Sequence, residues 1–285
     1  MMAAHIRLIA TLNLNTDQQL QTYWIQAGSF WPWVKKHVLQ APLIHRRHNK
    51  EFQLSTAVNM GTLPSRLHSI FLGFYLLSNL LYCCLLDYWH QPRAALLAEA
   101  RGRTGHLAVM NMLPLFVFSA RNNPLVPLLG ISFDTFNLFH SWTGRLVAAQ
   151  SLAHTIIWGV NNYDARGLDG MTRHLRTDSF LYYGLISTVA MVAIVIQSVS
   201  PIRHAFYESF LHFHQLLAAA ATFGIVLHCE LQSLPQKTFI YTLISLWTLE
   251  RCIRLCRIFN RRGTKVQVEA LEGGACDFQH QRLLA

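Results

Sequence analysis

Six predominantly apolar stretches alternate with short polar segments along most of the chain. They cover residues 67–89, about 103–120, 136–160, 180–200, 208–231 and 238–256. Because about 20 apolar residues can cross a hydrocarbon core, each stretch predicts a transmembrane helix, although the second is short and contains Pro114. The connections RNNP (121–124) and NNYDARGLDG (161–170) are rich in turn-forming residues. We therefore predict an all-α integral membrane bundle of six transmembrane helices.

Two polar flanks border this bundle. The N-terminal segment, residues 1–64, contains aromatic residues next to a basic cluster at 29–50, a combination typical of a cytoplasmic or interfacial segment. The tail, residues 259–285, is polar and contains a possible strand at 264–271. Residues 65–258 are left as the membrane domain.

The composition supports a membrane protein. The chain is 52% hydrophobic and 13% charged, whereas soluble domains carry about 25% charged residues. Its net charge of +10 comes without any nucleic-acid-binding motif, so membrane lipid is the expected partner and nucleic acid is not. With six spans the termini share a side, which holds 14 membrane-proximal Lys and Arg residues against 7 opposite. The positive-inside rule then places both termini in the cytoplasm.

Four histidines repeat at one spacing inside the third and fifth stretches. His140 and His154 are 14 residues apart, as are His214 and His228. On an α-helix this step leaves two side chains about 40° apart on one face and about 21 Å apart along the axis. The two stretches run in the same direction, so His140 lies level with His214, and His154 level with His228. Two facing neutral imidazoles can hold a low-spin haem iron, which predicts two haem sites.

Other interpretations of these histidines stay open at this point. A membrane histidine can also bond a neighbouring helix or line a path for protons or metal ions. For the haem interpretation, Arg145 is a candidate partner of a haem propionate, and Gly144 and Gly224 are candidate points of close approach by a flat ring. His174 falls in a predicted loop, where we expect it to be solvated.

Several motifs, together with the paired histidines, resemble fungal ferric reductases, which are distant relatives of the NADPH oxidases. GTLPSR (61–66) precedes the first stretch, RNNPL (121–125) precedes the third, and WTLER (247–251) lies in the sixth. The resemblance covers roughly residues 31–262. It implies that His140, His154, His214 and His228 ligate two b-type haems. It further implies electron transfer across the plasma membrane, from the first haem to the second, to an extracellular ferric or cupric chelate. We expect no catalytic side chain.

The sequence departs from this family after the sixth stretch, and it also lacks the family's usual extra N-terminal helix. Ferric reductases continue into flavin and NADPH domains, but neither a His-Pro flavin motif nor a Gly-x-Gly-x-x-Gly motif occurs in residues 1–285. We therefore expect FAD and NADPH to act only if a partner flavoprotein supplies them, and the tail 259–285 to be the truncated start of a flavin-binding domain. Two alternatives remain: an oxygen-reducing subunit resembling NADPH oxidases, or a non-catalytic membrane subunit with a histidine-lined proton or metal path.

Overall fold

The computed structural model of the chain describes most of its membrane part and little of its N-terminus. The described residues are 33–34, 36–37, 51–55, 58–62, 65–120, 123, 125–129, 133–260, 265–270 and 276–281. The predicted interfacial segment at 29–50 therefore lies almost entirely outside them, and so does most of the RNNP connection. The chain divides into two compact units, Met1–Leu243 and Ile244–Ala285.

Eight helices and two short hairpins make up the described residues. The helices are α1 (Arg66–Cys84), α2 (Arg93–Ser119), α3 (Leu125–Leu129), α4 (Phe133–Thr177), α5 (Ser179–Gln197), α6 (Ser200–Ala205), α7 (Tyr207–Leu231) and α8 (Lys237–Asn260). Two antiparallel hairpins pair β1 (Glu51–Ser55) with β2 (Val58–Thr62) and β3 (Lys265–Ala270) with β4 (Cys276–Gln281). The helical class is confirmed for the membrane part, and the strand predicted at 264–271 is β3.

Membrane character is supported by three helices. Among the described residues, α1, α5 and α7 are long and apolar enough to cross a bilayer. Helices α2, α4 and α8 have 27, 45 and 24 residues, so they are also long enough at 1.5 Å per residue. They carry more charge; α2, for example, begins with Arg93 and contains Glu99, Arg101 and Arg103. The structure thus supports an integral membrane protein, while six spans stay a prediction.

The turn predicted at 161–170 is largely wrong. Helix α4 continues through this segment and breaks only at Gly167, with φ 65° and ψ −178°. This conformation is essentially restricted to glycine, so the polar residues around it stay helical while the chain changes direction there. The second part of α4 folds back far enough for the His174 ring to contact Asn162 at 3.2 Å, with its centroid 6.2 Å from that of Trp158. His174 is therefore a partly buried contact residue and not a solvated loop residue.

Two helix hairpins form the centre of the membrane part. Helix α2 packs along α4, α5 packs along α7, and α4 lies against α5. A buried set of amides, which we call the amide cluster, joins α1 to this core through Asn79, Asn111 and Gln150. Asn111 donates to Asn79 at 2.7 Å and to Gln150 at 2.9 Å, and Gln150 donates to Asn79 at 3.0 Å. Each bond lies in a low-dielectric interior, so the cluster fixes the position of α1.

Candidate functional site

Helices α4 and α7 bring the four predicted histidines together in two pairs. The ring centroids of His140 and His214, the first pair, are 6.1 Å apart. Those of His154 and His228, the second pair, are 6.3 Å apart. The pairs have the partners that the spacing of the histidines predicts, so α4 and α7 run in the same direction with matched heights. Helices α4 and α7 are not among the closely packed helix pairs of the described residues, so the rings face each other across an interhelical gap.

The hydrogen bonds of three of these rings fix their tautomer. His140 Nδ1 donates to the Leu115 carbonyl at 3.0 Å, and His154 Nδ1 donates to the Arg101 carbonyl at 2.8 Å. A backbone carbonyl can only accept, so the ring hydrogen lies on Nδ1. A neutral ring then has its lone pair on Nε2, which is the arrangement found in metal-ligating histidines.

His228 is held in the same way, by a residue of α5. Its Nδ1 donates to the Phe180 carbonyl at 2.8 Å, and the Phe180 ring stacks on the imidazole with centroids 4.0 Å apart and planes at 13°. His214 differs from the other three: its Nδ1 is buried and has no hydrogen-bond partner in the described part of the chain. Its neighbour Phe210 contributes a ring contact at 5.4 Å.

Two glycines that the sequence did not single out allow the second pair to dock. A Cβ at Gly105 would lie 2.6 Å from His154 Nδ1, and a Cβ at Gly184 would lie 2.6 Å from His228 Nδ1. Each glycine stands one helical turn after the residue whose carbonyl accepts the bond, so the ring lies over the helix surface that the missing side chain leaves open.

The two glycines predicted to face a flat ring have other neighbours. A Cβ at Gly144 would make an ordinary 3.5 Å contact with Leu115. A Cβ at Gly224 would lie 2.9 Å from the Tyr183 carbonyl oxygen and 3.1 Å from the Ser187 nitrogen. Gly224 therefore permits close packing of α7 on α5.

Arg145 lies on an exposed part of α4, with its guanidinium over the Trp142 ring at 5.0 Å. It follows His140 by five positions, a rotation of about 140° from that face. The contact of Arg145 with a haem propionate remains a prediction. His212, two positions before His214, is exposed.

The pair distances suit ligation of one iron between two imidazoles. An imidazole nitrogen lies about 1.1 Å from its ring centroid and about 2 Å from a bound metal, which puts the centroids of two opposed ligands about 6.2 Å apart. The observed 6.1 and 6.3 Å match this value. The ring planes differ by 55° and 90°, which rotation about the metal–nitrogen axis accommodates. Each level offers two protein donors, and a porphyrin supplies the other four.

A bare ion needs more protein ligands than either pair provides. Structural zinc sites use four and catalytic zinc sites three. In the described residues no group of three or more His, Cys, Asp or Glu side chains could hold a metal ion.

Comparison with known proteins identifies a family match within the membrane part. Residues 104–225 match the family described as "Ferric reductase like transmembrane component". The match contains the first pair and His154, and it ends just before His228. Residues 104–225 are therefore similar to the transmembrane component of ferric reductases.

Yeast proteins resemble the chain over more residues than the family match covers. It is 25% identical over 225 residues to "Ferric reductase transmembrane component 4" of Saccharomyces cerevisiae, covering 76% of this chain and 30% of that protein. It is 26% identical over 241 residues to "Probable ferric reductase transmembrane component" of Candida albicans, covering 82% and 35%. It is also 26% identical over 227 residues to "Ferric/cupric reductase transmembrane component 2" of Saccharomyces cerevisiae, covering 77% and 31%. The chain thus spans about a third of the length of these relatives.

Proposed function

We propose that this chain is the haem-binding membrane part of a metalloreductase. In this proposal it crosses the plasma membrane six times with both termini in the cytoplasm, and it binds one b-type haem at each histidine pair. It accepts electrons from a flavoprotein that carries FAD and oxidises NADPH, and it passes them to a ferric or cupric chelate outside. The observation that carries the proposal is the pair of facing imidazoles at each of two levels, with centroids 6.1 and 6.3 Å apart.

The chain's own residues supply the conditions for one-electron transfer. A haem iron, when bound, provides a reversible ferric–ferrous couple. The carbonyls of Arg101 and Phe180 orient the rings of the second pair and keep Nε2 available as a ligand. The carbonyl of Leu115 does the same for His140 in the first pair. No side chain has to act as a nucleophile or proton donor, because no bond to the chelate is formed by the protein.

Small buried side chains lie between the two levels on both helices. Val147 and Ala221 each stand midway between the two paired histidines of their helix, so they lie on nearly the same face. Both are 1% exposed. The two pairs are about 21 Å apart along the helix axes, within a hydrocarbon core of about 30 Å. The first pair therefore lies towards the leaflet on the side of the termini, and the second towards the opposite leaflet.

Haem binding is tested with the full chain purified in detergent. We expect about two haems per chain by the pyridine haemochrome assay, and sharp α and Soret bands in the dithionite-reduced spectrum. His154→Leu and His228→Leu should each lose the second haem and retain the first. His212→Leu is the matched control, since this exposed histidine lies on the same helix and should leave both haems bound. A wild-type protein without haem, or one that binds zinc in its place, would contradict the proposal.

Electron transfer is tested in sealed vesicles of oriented protein. A flavoprotein reductase and NADPH are supplied on the side of the termini, and a ferric chelate is supplied on the other side. We expect haem reduction first and Fe²⁺ formation afterwards, with Fe²⁺ formation lost in His154→Leu. Oxygen consumption without Fe²⁺ formation would identify the oxygen-reducing alternative and overturn the choice of acceptor.

A further inference from the structure

The buried, unpaired Nδ1 of His214 distinguishes the first pair from the second. The three other paired histidines each donate this hydrogen to a backbone carbonyl of a neighbouring helix. An unsatisfied polar group inside a protein costs roughly 1–3 kcal/mol, so its persistence here needs a physical reason.

The register of the two hairpins identifies the acceptor that His214 lacks. On α4, a step of 14 residues leads from His154 back to His140, and on antiparallel α2 the same step leads from Arg101 forward to Leu115. Both of these histidines bond the matching carbonyl. On α7, His214 stands the same 14 residues before His228. His228 bonds the Phe180 carbonyl on antiparallel α5, so the carbonyl expected for His214 belongs to the residue 14 positions after Phe180.

That residue is Ile194, and its carbonyl is already occupied. The Ser198 hydroxyl donates to it at 2.6 Å and the Ser198 backbone nitrogen donates at 3.1 Å. Ser198 stands 14 residues after Gly184, so the two occupy equivalent positions on α5. At Gly184 a Cβ would lie 2.6 Å from His228 Nδ1. The second pair thus has a glycine where its ring reaches the carbonyl, and the matching position for His214 is a serine whose hydroxyl bonds the acceptor.

Helix α2 offers a natural comparison at the equivalent position. Ser119 stands one such step after Gly105, but its hydroxyl donates to the Phe116 carbonyl at 2.7 Å and leaves Leu115 to His140. Having a serine at this position is therefore not sufficient; the hydroxyl must also bond the carbonyl that the histidine would use.

We propose that Ser198 is a positioning residue that withholds the Ile194 carbonyl from His214 and so makes the two haem sites electronically unequal. This inference rests on the proposed function. A hydrogen bond from Nδ1 to a carbonyl raises the basicity of a ligating imidazole, and a more basic ligand favours the ferric state. Because His214 lacks this bond, the first site has a higher reduction potential than it would have if both of its histidines donated to a carbonyl.

The test is a spectroelectrochemical titration of the haem-loaded full chain. Ser198→Gly reproduces the arrangement at Gly184, so we expect the midpoint of one haem to move to lower potential while the other stays fixed. The low-spin electron paramagnetic resonance signal of the same haem should change. Ser198→Ala removes only the hydroxyl, and because the Cβ of Ser119 does not keep His140 from Leu115, its shift should be in the same direction.

Ser119→Gly is the matched control and should leave both midpoints unchanged, because His140 already has its carbonyl. Two haems per chain with both midpoints unmoved in Ser198→Gly would overturn the inference while leaving the proposed function intact. Equal shifts in Ser198→Gly and Ser119→Gly would overturn it as well. If Ser198→Gly loses haem, Ser198→Ala decides the matter, and an unmoved midpoint there refutes the role of Ser198. Absence of haem from the wild-type chain would instead refute the proposed function.

Discussion

Alanine at Gly105 or Gly184 should selectively weaken the second haem site. In either variant the new Cβ lies 2.6 Å from a histidine Nδ1 and 2.8 Å from its Cε1. Ordinary contacts between heavy atoms start near about 3.5 Å, so the ring must retreat by about 1 Å. That movement stretches the 2.8 Å bond to the Arg101 or Phe180 carbonyl beyond hydrogen-bonding distance and turns Nε2 away from its partner.

The expected magnitude follows from two contributions. Losing the hydrogen bond costs about 1 kcal/mol, and accommodating an extra methyl group in a packed interior costs about 1–3 kcal/mol. Together, about 2–4 kcal/mol corresponds to haem retention roughly 30- to 1,000-fold weaker at the second site. The first site should be unaffected because its rings dock about 21 Å away along the same helices.

The assay is haem content per chain and the rate of haem transfer to an excess apo-haemoprotein. We expect Gly105→Ala and Gly184→Ala to contain about one slowly dissociating haem, in contrast to two in the wild type. Gly144→Ala is the control on α4, where the Cβ meets Leu115 at an ordinary 3.5 Å. Gly73→Ala, with nothing within 4 Å, measures the helix-propensity gain of about 1 kcal/mol by itself. Four variants with equal haem content and transfer rates would refute this account of the second site.

Further predictions concern the scaffold around the sites. Asn111→Leu removes the bonds of Asn111 to Asn79 and Gln150, while Gln150 still donates to Asn79. It should destabilise the chain by about 2–4 kcal/mol, seen as a lower melting temperature in detergent. Gly224→Val forces α7 away from the α5 backbone, so both haems should be lost; two retained haems would show that this contact is dispensable. Gly167→Ala puts a side chain at φ 65°, and faster proteolysis near the break is expected from about 1–3 kcal/mol of strain. Asp164→Asn breaks an exposed 3.0 Å bridge to Arg93 and should change the melting temperature little, since such pairs contribute under about 1 kcal/mol.

The two histidine pairs could be predicted because helix geometry alone determines them. The common step between the paired histidines fixes both the face and the height of each ring, and two helices in the same direction must then match. The same geometry places Arg145 about 140° away from His140, so the separation of these two side chains was also readable in the sequence. The structure agrees, with Arg145 over Trp142 on an exposed part of α4.

Glycine roles and chain reversals could not be predicted in this way. What a glycine touches depends on how its helix is rotated against a neighbour, so Gly144 and Gly224 were indistinguishable from Gly105 and Gly184 before the packing was known. In the segment 161–170, turn-forming residues suggested a loop, but tertiary packing keeps them helical up to Gly167. The break needed one positive φ angle, and it is found at a glycine.

An internal repeat accounts for the arrangement of the two sites. The same number of residues separates corresponding positions of α2 and α5. These positions are Arg101 and Phe180, Gly105 and Gly184, and Ser119 and Ser198. A slightly smaller number separates the paired histidines of α4 from those of α7. Each proposed haem site thus takes one histidine from each copy of an α-helical hairpin.

The repeat leaves little similarity between the side chains of the two hairpins, because the atoms that bond the histidines are backbone carbonyls. Arginine at 101 and phenylalanine at 180 present the same carbonyl acceptor to a histidine, so their side chains are free to differ. The residue one helical turn later matters only if it blocks that carbonyl. Gly105 and Gly184 leave the carbonyl open, and so does Ser119, whose hydroxyl bonds Phe116 instead. At Ser198 the hydroxyl bonds the carbonyl itself, and there a symmetric scaffold holds one histidine without an acceptor. Two sites built by the same repeat can therefore differ in reduction potential.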